Sequence, residues 1–361
     1  MDKSIKALYV HIPFCNSICA YCDFCHYGYS LNNVKKWLEE LKKELQTKNL
    51  SDFDTIYIGG GTPSCLEGED LETLLALIKP YSTKTIEYTI EVNPETITED
   101  KVKVMKAYGI NRISMGLQTS NPDELKLINR HHNFEDVKRV VDLFRKYDIS
   151  NISIDVMYSL PNQTMATLSQ TLKDVLSLAV PHISLYSLTI EPNSLFGKKG
   201  YEHLDEDLEA DMYEYIEKTL IENGYMHYEI SNFAKKGYES KHNLGYWNYD
   251  DFVGVSMGAS GKENGIRYDN VRSLKDYLNG KYVLEETILS KEDQMFEQIM
   301  MSLRTSFGLD LDLFNKRYGL SFFEVYQEAY HKHQNDFIIK DNHLIVKNLE
   351  LLNSLLVDFL D

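Results

Sequence analysis

Three cysteines share one short loop, Cys15-x3-Cys19-x2-Cys22, directly after the apolar run Ala7-Leu8-Tyr9-Val10-His11-Ile12. This spacing lets three thiolates wrap three corners of a cubane [4Fe–4S] cluster and leaves the fourth iron without a protein ligand. An open iron binds a small molecule, so this loop says more about function than any other segment. Phe14, Tyr21 and Phe24 around it would limit solvent access and tune the potential. A structural zinc site is the rival reading. It needs a fourth ligand, which Cys25 or His26 could supply from the run Cys22-Asp23-Phe24-Cys25-His26. A disulfide is the weaker rival in a reducing compartment. Cys65 stands alone after Gly61-Thr62-Pro63-Ser64 and reads as a small core hydrophobe.

Other polar residues recur at the ends of β-rich runs. Gly59-Gly60-Gly61-Thr62 follows the second run, and its glycines let backbone approach a ligand closely. The turn lacks the Lys-Ser/Thr of a phosphate loop and does not fit G-x-G-x-x-G. Glu91-Val92-Asn93-Pro94 closes the third run, Gln118 follows the fourth, Asp155 lies in the fifth and Ser187 in the sixth. Any one of these could be a polar residue that merely collects where a strand ends. Five in succession suggest one shared pocket, because barrel enzymes build their sites at the C-terminal ends of strands.

The positioning elements follow from periodicity. β-rich runs lie at 7–12, 55–58, 86–92, 112–117, 151–157 and 183–189. Amphipathic stretches alternate with them near 33–47, 68–80, 99–108, 134–147, 164–179 and 205–224. In the first, Val34, Trp37, Leu38, Leu41 and Leu45 share one face. Strands alternating with helices imply a parallel sheet with right-handed crossovers, here an α/β partial (β/α)6 TIM-like barrel or a strongly curved open sheet. Past residue 225, Tyr228–Phe233 reads as a further strand and turn. A Gly-punctuated stretch follows, with His242-Asn243-Leu244-Gly245-Tyr246-Trp247 and Gly254–Gly261. From about Leu284 a second module shows helical patterns near 291–304, 310–317 and 321–334. A hairpin turning at Asp341-Asn342 and a last helix over 348–360 complete it. Helices plus a hairpin resemble a winged helix.

The 361 residues suffice for a large domain and a smaller one. Net charge is −17, and residues 285–361 hold 14 acidic against 7 basic side chains. That excludes a phosphate-backbone platform and turns the C-terminal module toward a packing or partner role. No apolar run approaches the roughly 20 residues of a membrane span, and Met1-Asp2-Lys3-Ser4 leads into a strand with no h-region. A cytoplasmic protein with reduced cysteines is expected.

Taken together, Tyr9-Val10-His11-Ile12-Pro13-Phe14-Cys15, the three-cysteine loop, Gly-Gly-Gly-Thr-Pro, Glu-Val-Asn-Pro, Ser114-Met115-Gly116-Leu117-Gln118, Asn129-Arg130, Ile154-Asp155 and Leu160-Pro161 resemble the radical S-adenosylmethionine superfamily. Within it they are most similar to the oxygen-independent coproporphyrinogen III oxidase branch. The resemblance implies a [4Fe–4S] cluster on Cys15, Cys19 and Cys22, with S-adenosylmethionine chelating the open iron. It implies cofactor contacts from Tyr9, Tyr21, Gly60, Gly61, Thr62, Glu91, Gln118, Arg130, Asp155 and Ser187. Two features depart from the oxidases. Phe24 stands where they have a fourth cysteine, with Cys25 one residue later, and only fourteen residues precede Cys15. Both features, and the His242-Asn243-x-x-Tyr246-Trp247 motif, are similar to the HemW-type heme chaperones. The implied function is heme binding and delivery to an acceptor protein, a respiratory hemoprotein being expected, with His242 the heme-contact candidate. The alternative is an enzyme generating a 5′-deoxyadenosyl radical, such as a coproporphyrinogen III oxidase of porphyrin biosynthesis. It would draw electrons from a flavodoxin or ferredoxin if the cofactor is cleaved. Expected domains are a radical S-adenosylmethionine partial barrel over 1–235, a connecting segment over 236–284 and a winged-helix-like domain over 285–361.

Overall fold

The β-rich runs, most of them alternating apolar with polar residues, become strands here, and the residues between them become crossover helices. In the computed structural model, which describes residues 6–48 and 50–360, the six runs form β1 Ala7–Ile12, β2 Thr55–Gly60, β3 Glu87–Val92, β4 Arg112–Gln118, β5 Asn151–Tyr158 and β6 His182–Ser187. Residues 1–5, with the Met1-Asp2-Lys3-Ser4 lead-in, lie outside the described residues. The crossovers carry α1 Leu31–Thr47, α2 Gly68–Ile78, α3 Glu99–Tyr108, α4 Phe134–Lys146, α5 Met165–Ser177 and α6 Glu206–Glu222. Several start on a side-chain cap: Thr98 accepts from the Lys101 amide, and Asn133 and Thr164 form capping boxes. The α1 face expected from sequence, Val34, Trp37, Leu38, Leu41 and Leu45, is buried against the sheet.

The sheet does not stop at six strands. Past α6 the chain adds the antiparallel pair β7 Met226–Glu229 and β8 Asn232–Ala234 at one end. At the other end come β9 Phe252–Val255, β10 Ser260–Glu263, β11 Ile266–Asn270 and β12 Val283–Ile288. The order is β12-β11-β10-β9-β1-β2-β3-β4-β5-β6-β8-β7. Strand β9 lies parallel to β1, so the parallel block runs from β9 to β6, while β10 to β12 are antiparallel. The partial barrel expected from sequence is therefore extended into a mixed sheet. Residues 252–288 are clipped to α1: Trp37 Nε1 donates to Ser256 Oγ at 2.9 Å, and the buried Glu44 accepts from the Ser256 amide at 2.8 Å and Tyr277 OH at 2.7 Å.

The His242 motif forms a short helix, α7 Lys241–Trp247, which the sequence pattern did not reveal. Ser240 caps it, and the buried Glu87 carboxylate accepts from the amides of Lys241 and His242 at 3.0 and 2.9 Å. The C-terminal module has its own core around Ile299, Leu303, Phe314, Phe322 and Leu344. It opens with α8 Lys291–Ser302 and contains the small sheet Leu309–Asp310, His343–Val346, Phe337–Lys340. Its hairpin turns through Asp341 and Asn342 with φ of 48° and 60°, the left-handed pair of a two-residue turn. The helices expected over 321–334 and 348–360 are each broken into shorter pieces, Phe322–Val325 with Gln327–Lys332, and Leu352–Leu356 between two 3₁₀ turns. Among the described residues no helix is long and apolar enough to cross a membrane.

Candidate functional site

The cysteine loop leaves β1 and is closed by a two-residue parallel bridge, Phe14–Cys15 with Tyr27–Gly28. Its base is pinned by the Tyr29 amide to the Cys15 carbonyl at 2.9 Å. Its far side leans on residues 128–131: the Ala20 amide reaches the Ile128 carbonyl at 3.0 Å and Asn129 Nδ2 donates to the Ile18 carbonyl at 2.7 Å. The Gly-Gly-Gly-Thr turn lies beside the loop. The Gly61 amide donates to the Ile12 carbonyl at 2.7 Å and the Thr62 amide to the Phe14 carbonyl at 2.8 Å. A Cβ on Gly61 would sit 2.6 Å from the Phe14 carbonyl oxygen and 3.0 Å from Cys15 Sγ, so only glycine permits this approach.

These segments enclose a cavity of about 400 Å³. Cys15, Cys19, Cys22, Tyr21, Gly60, Gly61, Thr62, Glu91, Gln118, Arg130, Asp155 and Ser187 all line it, so every site residue expected from sequence except Tyr9 and His242 converges there. The three thiols are free. Burial pushes the Cys22 thiol up to about 12 and raises Cys15 as well. Arg130 Nη1 donates to Asn93 Oδ1 at 2.7 Å and Nη2 to Tyr21 OH at 3.4 Å, while its buried Nε has no partner. Asp155 accepts from Ser114 Oγ at 3.1 Å, and Ser187 Oγ donates to Glu209 at 2.5 Å. Glu91 accepts from Tyr57 OH at 2.8 Å and the Gly60 amide at 3.0 Å. Burial lifts the Glu91 carboxyl to about 7 against those bonds, with Asp155 adding to the rise, and lifts Asp155 to about 6. Gln118 occupies the left-handed region at φ 68°, beside the register shift of β4, a strain of the kind that clusters at ligand sites.

The donors fit the two groups that the resemblance implies. Three free thiols ring one side, an unpartnered guanidinium nitrogen and two carboxyls face them, and Gly61 and Gly116 leave space that no Cβ could share. A single-ion zinc site fits less well. Among the described residues no three His, Cys, Asp or Glu gather as one ion requires. Cys25 turns away, its Sγ toward the Arg272 carbonyl at 3.5 Å, while His26 Nδ1 lies 2.7 Å from the Phe24 carbonyl and 3.6 Å from Cys22 Sγ.

A second, larger cavity of about 840 Å³ opens on the other side of a shared wall made by Phe24, Gly60, Glu91 and Tyr186. Tyr9 and His242 line this cavity and not the first. Tyr9 bonds His11 Nδ1 at 3.0 Å and packs on Tyr57 of β2. His242 is a wall residue, 1% exposed, with both ring nitrogens engaged: Nδ1 with Thr55 Oγ1 at 2.9 Å and Nε2 with Tyr246 OH at 2.7 Å. Burial, with Arg112 nearby, lowers its pKa to about 3, so the ring is neutral. An iron ligand would have to displace one of those bonds. The cavity also draws on residues that sequence reasoning missed: Tyr57, Tyr186, Arg267, Arg272, and Glu297, Met300 and Met301 from α8. It thus lies between the extended sheet and the C-terminal module. A basic residue at each end of Arg267-Tyr268-Asp269-Asn270-Val271-Arg272 was the one available signal.

Comparison with known proteins agrees with this layout. A model described as "Radical SAM superfamily" matches residues 9–175, and one described as "HemN C-terminal domain" matches residues 289–346. The chain is 38% identical to the heme chaperone HemW of Lactococcus lactis subsp. lactis (strain IL1403), over 100% of this chain and 98% of that protein. It is 38% identical to the heme chaperone HemW of Bacillus subtilis (strain 168), over 88% of each. In fold it matches the solved coproporphyrinogen III oxidase (HemN) from Escherichia coli, described as a radical SAM enzyme. The TM-score is 0.87 at 22% identity, covering 99% of this chain and 90% of that one.

Proposed function

Because this chain belongs to the radical S-adenosylmethionine superfamily, in the coproporphyrinogen III oxidase-like branch that includes the HemW heme chaperones, we propose that it binds heme and hands it to an acceptor protein. The observation that carries the reading is the pair of cavities with a common wall. The smaller has the donors for a cluster and a charged nucleotide. The larger has aromatic walls, cationic side chains and a position between two modules, where ligands are commonly held.

In this reading Cys15, Cys19 and Cys22 would hold a [4Fe–4S] cluster, and the remaining lining residues would hold S-adenosylmethionine beside it. When bound, the pair supplies one-electron chemistry at a sulfonium. The chain's own residues do the rest. Arg130, with one nitrogen unpaired, meets a carboxylate. Glu91 and Asp155 accept hydroxyl donors, and the Gly60–Gly61 backbone forms the close edge. Tyr21, Phe24 and Tyr186 contribute aromatic rings to the wall of the first cavity. In the second, Tyr9, Tyr57, Tyr246 and Trp247 offer flat surfaces to a macrocycle, with His242 holding Tyr246 in place. Cys25, Met300 and Met301 are sulfur donors on the same walls. The acceptor is a hemoprotein.

The shared wall also favours a second reading, radical chemistry on a porphyrinogen held in the larger cavity. One experiment separates them. Anaerobically reconstituted protein should be brown, with about four irons and four sulfides per chain, and should bind heme near one to one. Transfer of that heme to apo-hemoprotein, without turnover of coproporphyrinogen III, supports the chaperone. Conversion to protoporphyrinogen IX selects the enzyme, and a colourless protein overturns both.

A further inference from the structure

Two arginines on the larger cavity stand in different states of engagement. Arg272 is exposed at the rim beside the cysteine loop. One Nη donates to the Asp23 carbonyl at 3.3 Å, and among the described residues no carboxylate lies within ion-pair reach of it. Arg267, on β11, is held by Glu297 of α8 at 3.0 Å, with the arginine side chain 47% and the glutamate 14% exposed. Glu297 has another donor, since Tyr249 OH reaches its second oxygen at 2.7 Å. Arg267 can therefore leave without orphaning the carboxylate. The third lining cation, Lys262, is already committed: it donates to the Tyr249 carbonyl at 3.0 Å and Asp251 at 3.1 Å, over the Tyr249 ring.

We propose that Arg272 and Arg267 receive the carboxylates of the occupant of the larger cavity, Arg267 by exchanging its Glu297 partner for a ligand carboxylate. This rests on the heme reading and specifies the chemistry of the cargo: a flat aromatic body bearing carboxylate arms. Guanidinium is suited to the role because it binds a carboxylate through two parallel hydrogen bonds and exchanges one carboxylate for another with little change in geometry. The exchange also explains why Arg267 is not needed as an interface bolt. Arg317 already joins the modules, donating to Asp250 at 2.6 Å, to the Asn248 carbonyl at 2.6 Å and to Gln298 at 3.2 Å. Releasing Glu297 frees one α8 contact and leaves the Arg317 contacts intact, so capture loosens the rim of the cavity and not the junction.

The test titrates ferric heme and its dimethyl ester, which has the same ring and iron without charged arms, into the full reconstituted protein and follows the Soret band. The native chain should bind the diacid about a hundredfold more tightly than the diester, the scale of two charge-assisted bonds. The preference should shrink as salt is added. Arg272→Ala and Arg267→Ala should each weaken the diacid about tenfold and leave the diester unchanged. Glu297→Gln should tighten the diacid several-fold, a gain that a misfolded variant cannot imitate. Equal binding of diacid and diester by the native chain, or loss of both ligands in equal measure in the arginine variants, overturns the proposal while leaving the heme reading intact. Binding of neither ligand overturns the heme reading itself.

Discussion

The two cavities share a wall yet are built in opposite ways. The smaller collects one or two residues from the end of each successive β/α unit, so its parts come in motif order along the chain: Cys15 to Cys22, Gly60 to Thr62, Glu91, Gln118, Arg130, Asp155, Ser187. The larger joins β1 and β2 to residues beyond 225, which meet them because β9 pairs beside β1 and α8 packs against α7. The first is a site that local sequence specifies. The second is one that only sheet order assembles. Four experiments test how independent they are.

The largest effect is expected from Cys19→Ala. Removing one of three cluster ligands should take iron and sulfide from about four each to near zero and abolish the brown colour. If the cavities are separable, heme affinity should change by less than about threefold. Loss of heme binding along with the cluster would mean that the larger cavity is formed only when the loop is loaded.

Gly61→Ala comes next. Its Cβ would press on the Phe14 and Ile12 carbonyl oxygens at 2.6 and 2.9 Å, which are backbone and cannot swing away. Overpacking of this kind costs about 1–3 kcal/mol. Thermal denaturation should show the loss, and cluster occupancy should fall further than heme affinity. An unchanged melting temperature would show that the turn relaxes.

His242→Ala deletes a ring that bridges Thr55 and Tyr246 in a buried position. Leaving those hydroxyls unpartnered should cost about 1–3 kcal/mol. If the ring serves as a wall and not as a ligand, the Soret maximum of bound heme should stay where it is. A shifted maximum would restore His242 as an iron ligand.

The smallest effect is the pH dependence of Glu91. Its carboxyl is raised from 4.5 to about 7 by burial, so the folded state holds the proton more tightly than the unfolded chain. Stability from this group is fully present below about 4.5 and is lost as pH climbs through about 7. In cofactor-free protein, the melting temperature of Glu91→Gln relative to the native chain should therefore be higher at pH 8 than at pH 5.5, by a few degrees at most. A difference that does not vary with pH would place the Glu91 titration outside this window.

What could be read from the sequence follows the same division. The six parallel strands and their helices were legible because β-rich runs alternate with amphipathic stretches along the chain; in β4 every residue is buried, with the apolar Ile113, Met115 and Leu117 alternating with Arg112, Ser114 and Gln118. The cluster loop and its pocket were legible because spacing and strand-end position are local properties. Tyr9 was assigned to the cofactor through its match to a family position, and its ring lines the larger cavity. Residues 236–284 read as a Gly-rich connecting segment, with Gly254, Gly258 and Gly261 interrupting the apolar pattern. Two of those glycines sit where Ser260 and Tyr268 approach within 2.0 and 2.2 Å of a hypothetical Cβ, so they mark close packing and not looseness. The short helix at His242 was hidden because its N-terminal amides are satisfied by Glu87, more than 150 residues away in the chain.

Glu91 belongs to both compartments, and it titrates near neutrality. A hydroxyl donated to it from the nucleotide side favours the ionised form, which then faces the neighbouring compartment as a negative charge. An anionic tenant there is disfavoured by that charge. By thermodynamic reciprocity the tenant must weaken the nucleotide by the same factor. One proton on one carboxyl thus contributes an antagonism between two such occupants, with no movement of the backbone required.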